Sequence, residues 1–287
     1  MSKLKAKKPT TIEKRLKVLF YGGPGAGKTT AAISFPKVYL IDTERGAEND
    51  SYTARLEKGG GVILQTSDFD EVIDQVKALL TEKHDYKTLV IDPLTTIYND
   101  LLDKSGEKNG TEFGRHYNEV NKKMKQLLSL LTRLDMNVII TAHAKNEYGQ
   151  NLAIMGTTFD CYKKLDYLFD LAFEIQDRGD KRVAIIKKTR IESFPKNDSF
   201  EFTYDEIAKR YGKKILEKDA KCEILATKEE IKELYRLKEL FNIDDEKFEK
   251  SLEKYNAENA EDLSQEAIQK IINTLQSKVQ KGENKDA

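Results

Sequence analysis

The sequence has no tryptophan and two cysteines, and its charges cancel: 49 lysines and arginines stand against 49 aspartates and glutamates. The absence of net charge excludes a protein that coats nucleic acid by bulk positive charge, and leaves open only a local basic face. Cys161 and Cys222 are far apart and fit no metal-ligand spacing, so they read as ordinary reduced thiols and predict a cytoplasmic protein. No apolar run approaches the ~20 residues that a membrane-spanning helix needs. The N-terminus carries no apolar core of a secretory signal. These absences predict no membrane partner. No internal repeat is visible. With 287 residues, the chain has room for one large α/β domain and a small appendage.

The rest of the chain is organised around Lys17 to Thr30, KVLFYGGPGAGKTT. Gly22, then Gly27-Lys28-Thr29 after four residues, matches the P-loop pattern G-x-x-x-x-G-K-[ST]. Val18 to Tyr21 predicts a buried strand before it, and Thr29 to Phe35 a helix after it. In this arrangement Gly23, Pro24, Gly25, Ala26, Gly27, Lys28, Thr29 and Thr30 form a cradle in which successive backbone N–H groups curl around a polyphosphate. Lys28 reaches the β- and γ-phosphates of ATP, and the Thr29 hydroxyl is a ligand for Mg²⁺. The alternative is a glycine-rich turn without a ligand.

Lys37 to Asp42 predicts a second strand, ending in Asp42-Thr43-Glu44. Ligands of an open parallel sheet sit at the carboxyl ends of its strands. Glu44 is therefore the candidate base that orients or deprotonates the attacking water, against the alternative of a solvated loop carboxylate. Asp68 to Thr81 predicts an amphipathic helix. Thr88 to Asp92 is an apolar run ending in an acid, the Walker B pattern, with Asp92 in the Mg²⁺ shell. Pro93 comes next, where many P-loop ATPases carry a catalytic glutamate, and this favours Glu44 as the base.

Residues 104–112 predict a polar loop and Gly114 to Leu134 a long helix with one apolar face. Asn137 to His143 predicts a core strand. His143, just beyond its end, is placed to touch the γ-phosphate and relay its loss to the adjoining segment, Ala144 to Thr158. This segment is polar and holds Lys145, Tyr148 and Gln150; it predicts a mobile loop near the ligand, or else a plain hairpin connection. Leu171 to Gln176 and Arg182 to Lys187 predict two strands. The second runs into Lys188-Thr189-Arg190, a cluster of bases able to bind phosphate in this subunit or in a neighbour. Short β-like pieces are expected near Phe200 and Ile215.

Residues 1–12 predict a flexible arm, 13–217 the ATPase domain and 218–226 a linker. Residues 227–279 predict a three-helix module opened by a capping box, Thr227 with Glu230. Residues 280–287 predict a disordered charged tail.

The ordered set of Gly22–Thr29, Glu44, Asp92, His143 and Lys188-Thr189-Arg190 resembles the RecA-like ATPases. It looks most like the compact phage members of the AAA type that serve single-strand annealing and recombination, over residues 15–217. The resemblance implies a RecA-like P-loop core with a mostly parallel sheet flanked by helices, with ATP and Mg²⁺ as cofactors. It implies that Glu44 activates water, and that His143 senses the γ-phosphate and couples it to a DNA-binding loop. Lys188 and Arg190 would enter the active site of a neighbour in a ring or filament of identical chains. The partner implied is single-stranded DNA, in the host cytoplasm if the chain is viral. The C-terminal helices would recruit a single-strand-binding protein or another replication or recombination partner.

The leading expectation is thus an ATPase acting on single-stranded DNA in recombination or annealing, stimulated by that DNA. The alternatives are a helicase-associated ATPase and a nucleotide-gated adaptor in phage DNA replication. A small-molecule kinase would need a lid and an acceptor pocket that the sequence does not display.

Overall fold

Strand β1 (Lys17–Gly22) shows how the sequence builds the centre of the molecule. Its side chains alternate between the two faces of a sheet, as the two-residue period of a strand requires. Leu19 and Tyr21 enter one hydrophobic core, and Val18 and Phe20 enter another. All four are buried, so both faces are covered, which is the environment of a strand inside a helix-flanked sheet.

The computed structural model describes residues 13–46, 50–149 and 153–283. After β1 come α1 (Lys28–Ala32), β2 (Val38–Asp42), α2 (Asp50–Lys58), β3 (Val62–Gln65), α3 (Phe69–Thr81), β4 (Thr88–Asp92), α4 (Leu94–Asn109) and α5 (His116–Arg133). They are followed by β5 (Asn137–Tyr148), β6 (Ile154–Asp160), α6 (Leu165–Leu168), β7 (Leu171–Arg178), β8 (Lys181–Thr189) and β9 (Ser199–Glu201). Helices α7 (Tyr204–Tyr211), α8 (Lys213–Leu216), α9 (Lys228–Leu240), α10 (Asp245–Glu253) and α11 (Gln265–Glu283) come last.

The strands form a nine-stranded sheet in the order β3-β2-β4-β5-β1-β7-β8-β9, with β6 paired to β5. Strands β1, β2, β3, β4, β5 and β7 are parallel; β6, β8 and β9 add antiparallel pairs. This is the expected α/β architecture. Its consequence for the site is simple: the parallel strands end at one edge, so the loops after β1, β2, β4 and β5 converge there. In register, Gly22 lies beside His143, and Asp42 beside Asp92.

Helices α3, α4 and α5 cover one face, and α1, α2, α7 and α8 the other. Helix α3 shows the local logic. The Asp68 carboxylate accepts the Asp70 and Glu71 backbone N–H groups, a cap that contributes about 1 kcal/mol. Phe69, Val72, Ile73, Val76, Leu79 and Leu80 then recur at helical spacing and are buried. Each such side chain contributes roughly 1.5–3 kcal/mol by leaving water.

Several sequence expectations are corrected. Residues 104–109 are not loop but the end of α4. Buried Leu94, Ile97, Tyr98, Leu101 and Ser105 keep the stripe going, the Ser105 hydroxyl donates to His116 O at 2.9 Å, and the helix stops only at Gly110, with φ 70°. Ile215 lies in helix α8, not in a strand. Ala144 to Thr158 is mainly a hairpin: Ala144 pairs with Phe159, Asn146 with Thr157 and Tyr148 with Ile154. The β-branched residues on its return arm favour that pairing. Gln150 and residues 1–12 lie outside the described residues. Helix α11 reaches Glu283, so 280–283 are helical rather than tail, and 284–287 are outside the described residues.

Helices α9, α10 and α11 gather around their own core of Leu234, Leu237, Phe248, Leu252 and Ile268. Thr227 and Glu230 form the capping box. Polar contacts join this core to the sheet domain: Lys77 pairs with Asp262 at 2.7 Å, and the Arg133 guanidinium donates to Asp262 O. Residues 218–226 are strapped down as well. The Arg15 guanidinium donates to Lys218 O and Asp219 O, and Glu223 N to Leu80 O.

Candidate nucleotide site

The turn after β1 needs backbone angles that only glycine adopts without strain. Gly25 and Gly27 have φ of 73° and 89°. Ala26 N donates to Gly23 O, which closes the turn, and Ala31 N to Gly27 O begins the helix. Gly23, Pro24 and Gly25 are exposed, while Ala26 is buried beneath them. The Thr30 hydroxyl lies 3.3 Å from that of Tyr52. The Lys28 ammonium donates to Gly22 O and Gly23 O, both at 2.9 Å, and so bridges the loop's own carbonyls. Burial lowers its pKa, and the charges of Asp92 and Glu44 oppose that shift.

Asp92 ends β4, and little of it is exposed. Burial raises its pKa, and hydrogen bonds from the Thr141 and Thr29 hydroxyls pull the other way. Thr29 and Asp92, proposed from the sequence as the Mg²⁺ ligands, are therefore brought together. The Asp42-Thr43-Glu44 segment is sewn onto the same edge. Asp42 Oδ1 accepts the N–H groups of Glu44 and Gly46, each at 3.2 Å. Thr43 N donates to Asp92 O at 3.0 Å, and the Thr43 hydroxyl to Pro93 O at 2.8 Å.

These bonds hold Glu44 at the mouth of the site. Its Oε1 accepts the Thr96 hydroxyl at 2.6 Å and lies 3.2 Å from His143 Nε2. Both side chains remain near half exposed, so water reaches the carboxylate. The His143 backbone N–H is fixed by the Thr95 hydroxyl at 2.9 Å. Glu44, Lys28, Asp92 and His143 thus converge from four segments far apart in sequence.

Three contributors escaped the sequence reading. Thr141 carried a faint signal, two residues before His143 on the same face of β5. Thr96 carried none, since only the tertiary placement of α4 brings it to Glu44. Arg182 on β8 also carried none: its side chain lies over the P-loop, and a Cβ on Gly27 would stand 2.4 Å from Arg182 Cδ. Beside it is a cavity of about 490 Å³ lined by Gly27, Thr30, Ser34, Arg182 and Tyr204. The donor set fits a nucleoside triphosphate with Mg²⁺. An exposed glycine cradle and a lysine would face the phosphates, a hydroxyl and a carboxylate suit a hard cation, and the cavity beside them has room for a nucleoside.

The family profile of the AAA domain matches residues 14–197. The chain belongs to the AAA domain family. As an AAA domain, it is a nucleotide-binding ATPase domain. No curated protein matches the sequence. Among solved structures, it is similar to the crystal structure of the RadB recombinase, at 18% identity over 65% of this chain and 86% of that one, with a TM-score of 0.43. A DnaB-like replicative helicase is 14% identical over 62% of this chain and 54% of that chain, with a TM-score of 0.42. The type III secretion ATPase EscN of enteropathogenic E. coli is 13% identical over 90% and 67%, with a TM-score of 0.39.

Lys188 and Arg190 lie at the opposite end of the sheet from this AAA domain's own P-loop. Thr189 pairs with Leu171, which is beside Val18, whereas Gly22 is beside Ile175, which pairs with Ala184. The Lys188 ammonium donates to Phe169 O at 2.8 Å, and Arg190 donates to Tyr167 O at 3.1 Å. In this chain they do not join Glu44 and Lys28. Among the described residues, no helix of the AAA domain is long and apolar enough to cross a membrane.

Proposed function

We propose that this ATPase domain acts on single-stranded DNA in recombination or annealing, and that it works as an oligomer. The observation that carries the hydrolytic part of the reading is the Glu44 carboxylate, held by Thr96 and His143 at the edge where Lys28 and Asp92 also end, and the single-stranded DNA part draws on the resemblance of the ordered set Gly22–Thr29, Glu44, Asp92 and His143. In hydrolysis, Glu44 orients the attacking water and takes its proton. The water oxygen bonds to the γ-phosphorus, the bond to the bridging oxygen breaks, and ADP leaves. Lys28 exchanges the Gly22 and Gly23 carbonyls for phosphate oxygens. Thr29 and Asp92 would hold Mg²⁺, which would supply positive charge to offset that of the phosphates. His143 is bonded through its backbone to α4 and continues into the β5–β6 hairpin, which supports a role for it in passing the state of the γ-phosphate outward. Lys188 and Arg190 serve a neighbouring subunit, where they offset charge in the transition state.

A second reading, a nucleotide-gated adaptor or helicase-associated ATPase, draws on the separate core of α9, α10 and α11, which offers a unit for recruiting a partner. The test is steady-state ATP hydrolysis with single-stranded DNA, duplex DNA or RNA at two salt concentrations. Stimulation by single-stranded DNA that fades with salt is the expected result. Turnover that ignores every nucleic acid would refute this reading and favour the adaptor.

A further inference from the structure

A second cavity of about 490 Å³ opens beyond the first turns of α4, between that helix, the start of α5 and the end of β6. Its walls combine three kinds of group. Tyr98 and Tyr162 are buried, with ring centroids 6.4 Å apart. Tyr117 is 44% exposed, and its ring lies 4.1 Å from that of His116. Asn99 and Asn121 supply amides, which pair with the edges of nucleobases. Lys163 and Lys164 are exposed cations on the rim. The one carboxylate of the lining, Asp160, is neutralised by Lys145 at 2.8 Å.

Aromatic faces, amides and lysines are the groups that hold an unstacked base while tracking its phosphates. We infer that this cavity receives one splayed base of a bound single strand, with Lys163 and Lys164 on the flanking phosphates. The inference rests on the proposed action on single-stranded DNA and names where one nucleotide of that strand sits. It also gives the strand a physical link to the nucleotide site. Thr95 and Thr96, in the first turn of α4, bond Asp160 O and the Glu44 carboxylate. Tyr98, Asn99 and Leu102, in the next turns of the same helix, line the cavity. A base that shifts α4 therefore shifts the cradle of Glu44.

The test uses the full chain with a fluorescent oligo-dT carrying one 5-iodouracil. Irradiation and peptide mapping should place the cross-link on Tyr117 or its neighbours. By anisotropy, Tyr117→Ala should weaken binding about 5- to 150-fold, the range for losing one stacked base, while Tyr117→Phe should bind as the wild type does. Lys163→Ala/Lys164→Ala should reduce the slope of log affinity against log salt by about 1.4. Tight binding with cross-links elsewhere, and with affinity and slope unchanged in the variants, would overturn the cavity assignment while leaving the single-strand reading intact. Failure of the wild type to bind any single strand would overturn both. If Tyr117→Ala fails to fold, the cross-link map and the lysine pair decide the question.

Discussion

Glu44→Gln separates chemistry from structure at this site. The substitution keeps the shape of the side chain, and an amide oxygen still accepts the Thr96 hydroxyl now 2.6 Å from the carboxylate. What it removes is the proton acceptor. General-base catalysis contributes about 10²- to 10⁴-fold, or roughly 3–5 kcal/mol of barrier. The structural cost is small by comparison. The Glu44–His143 pair is near half exposed on both sides, and exposed pairs of this kind contribute about 0–1 kcal/mol. The expected outcome is therefore a loss of kcat of at least a hundredfold, with ATP affinity and melting temperature close to the wild type. Thr96→Ala should cost much less, about fivefold, because it removes one positioning hydrogen bond of about 1 kcal/mol. Single-turnover hydrolysis, nucleotide binding by fluorescence and thermal melting measure the three quantities. Turnover of Glu44→Gln within tenfold of the wild type, in a folded protein that binds ATP, would refute the assignment of Glu44 as base.

Gly27→Ala and Gly25→Ala should both lose stability through their positive φ, by about 1–2 kcal/mol each. Gly27→Ala should lose more, because its new Cβ must displace Arg182, while Gly25 has open space; adding Arg182→Ala should recover the difference in a melting experiment. Cys222 is exposed and should react with a thiol reagent at pH 8 in the native protein. Burial pushes the Cys161 thiol up to about 12, so it stays protonated and should react only after unfolding; two equally fast thiols would contradict the packing around it. Arg190→Ala protein should regain hydrolysis when mixed with Lys28→Ala protein if the cation serves a neighbour's site. Absence of rescue in oligomers demonstrably containing both chains would refute the role in trans.

The segments with one dominant local requirement were legible in the sequence. The P-loop is such a case: phosphate binding demands a run of glycines, a lysine and a hydroxyl at fixed spacing, and Gly25 and Gly27 take the positive φ that this turn requires. Thr88 to Asp92 and Asn137 to His143 were legible because both faces of each strand are buried, which leaves a largely apolar run before the polar residue at its end. The end of α4 was misread, and Ala144 to Thr158 stayed open between a loop and a hairpin, because their polar residues obscure the pattern, and tertiary contacts such as the Ser105 hydroxyl on His116 O supply what the local sequence lacks.

The sequence alone determined the fold class and the identity of the P-loop, since strand period, glycine spacing and chain order are local properties. Only the tertiary structure decided which side chains meet. The insertion of β5 between β1 and β4 sets His143 beside Gly22, the packing of α4 brings Thr96 to Glu44, and the β7–β8 hairpin lays Arg182 over Gly27. Those contacts join residues tens of positions apart, and pairing register and helix packing, which no local spacing encodes, fix them.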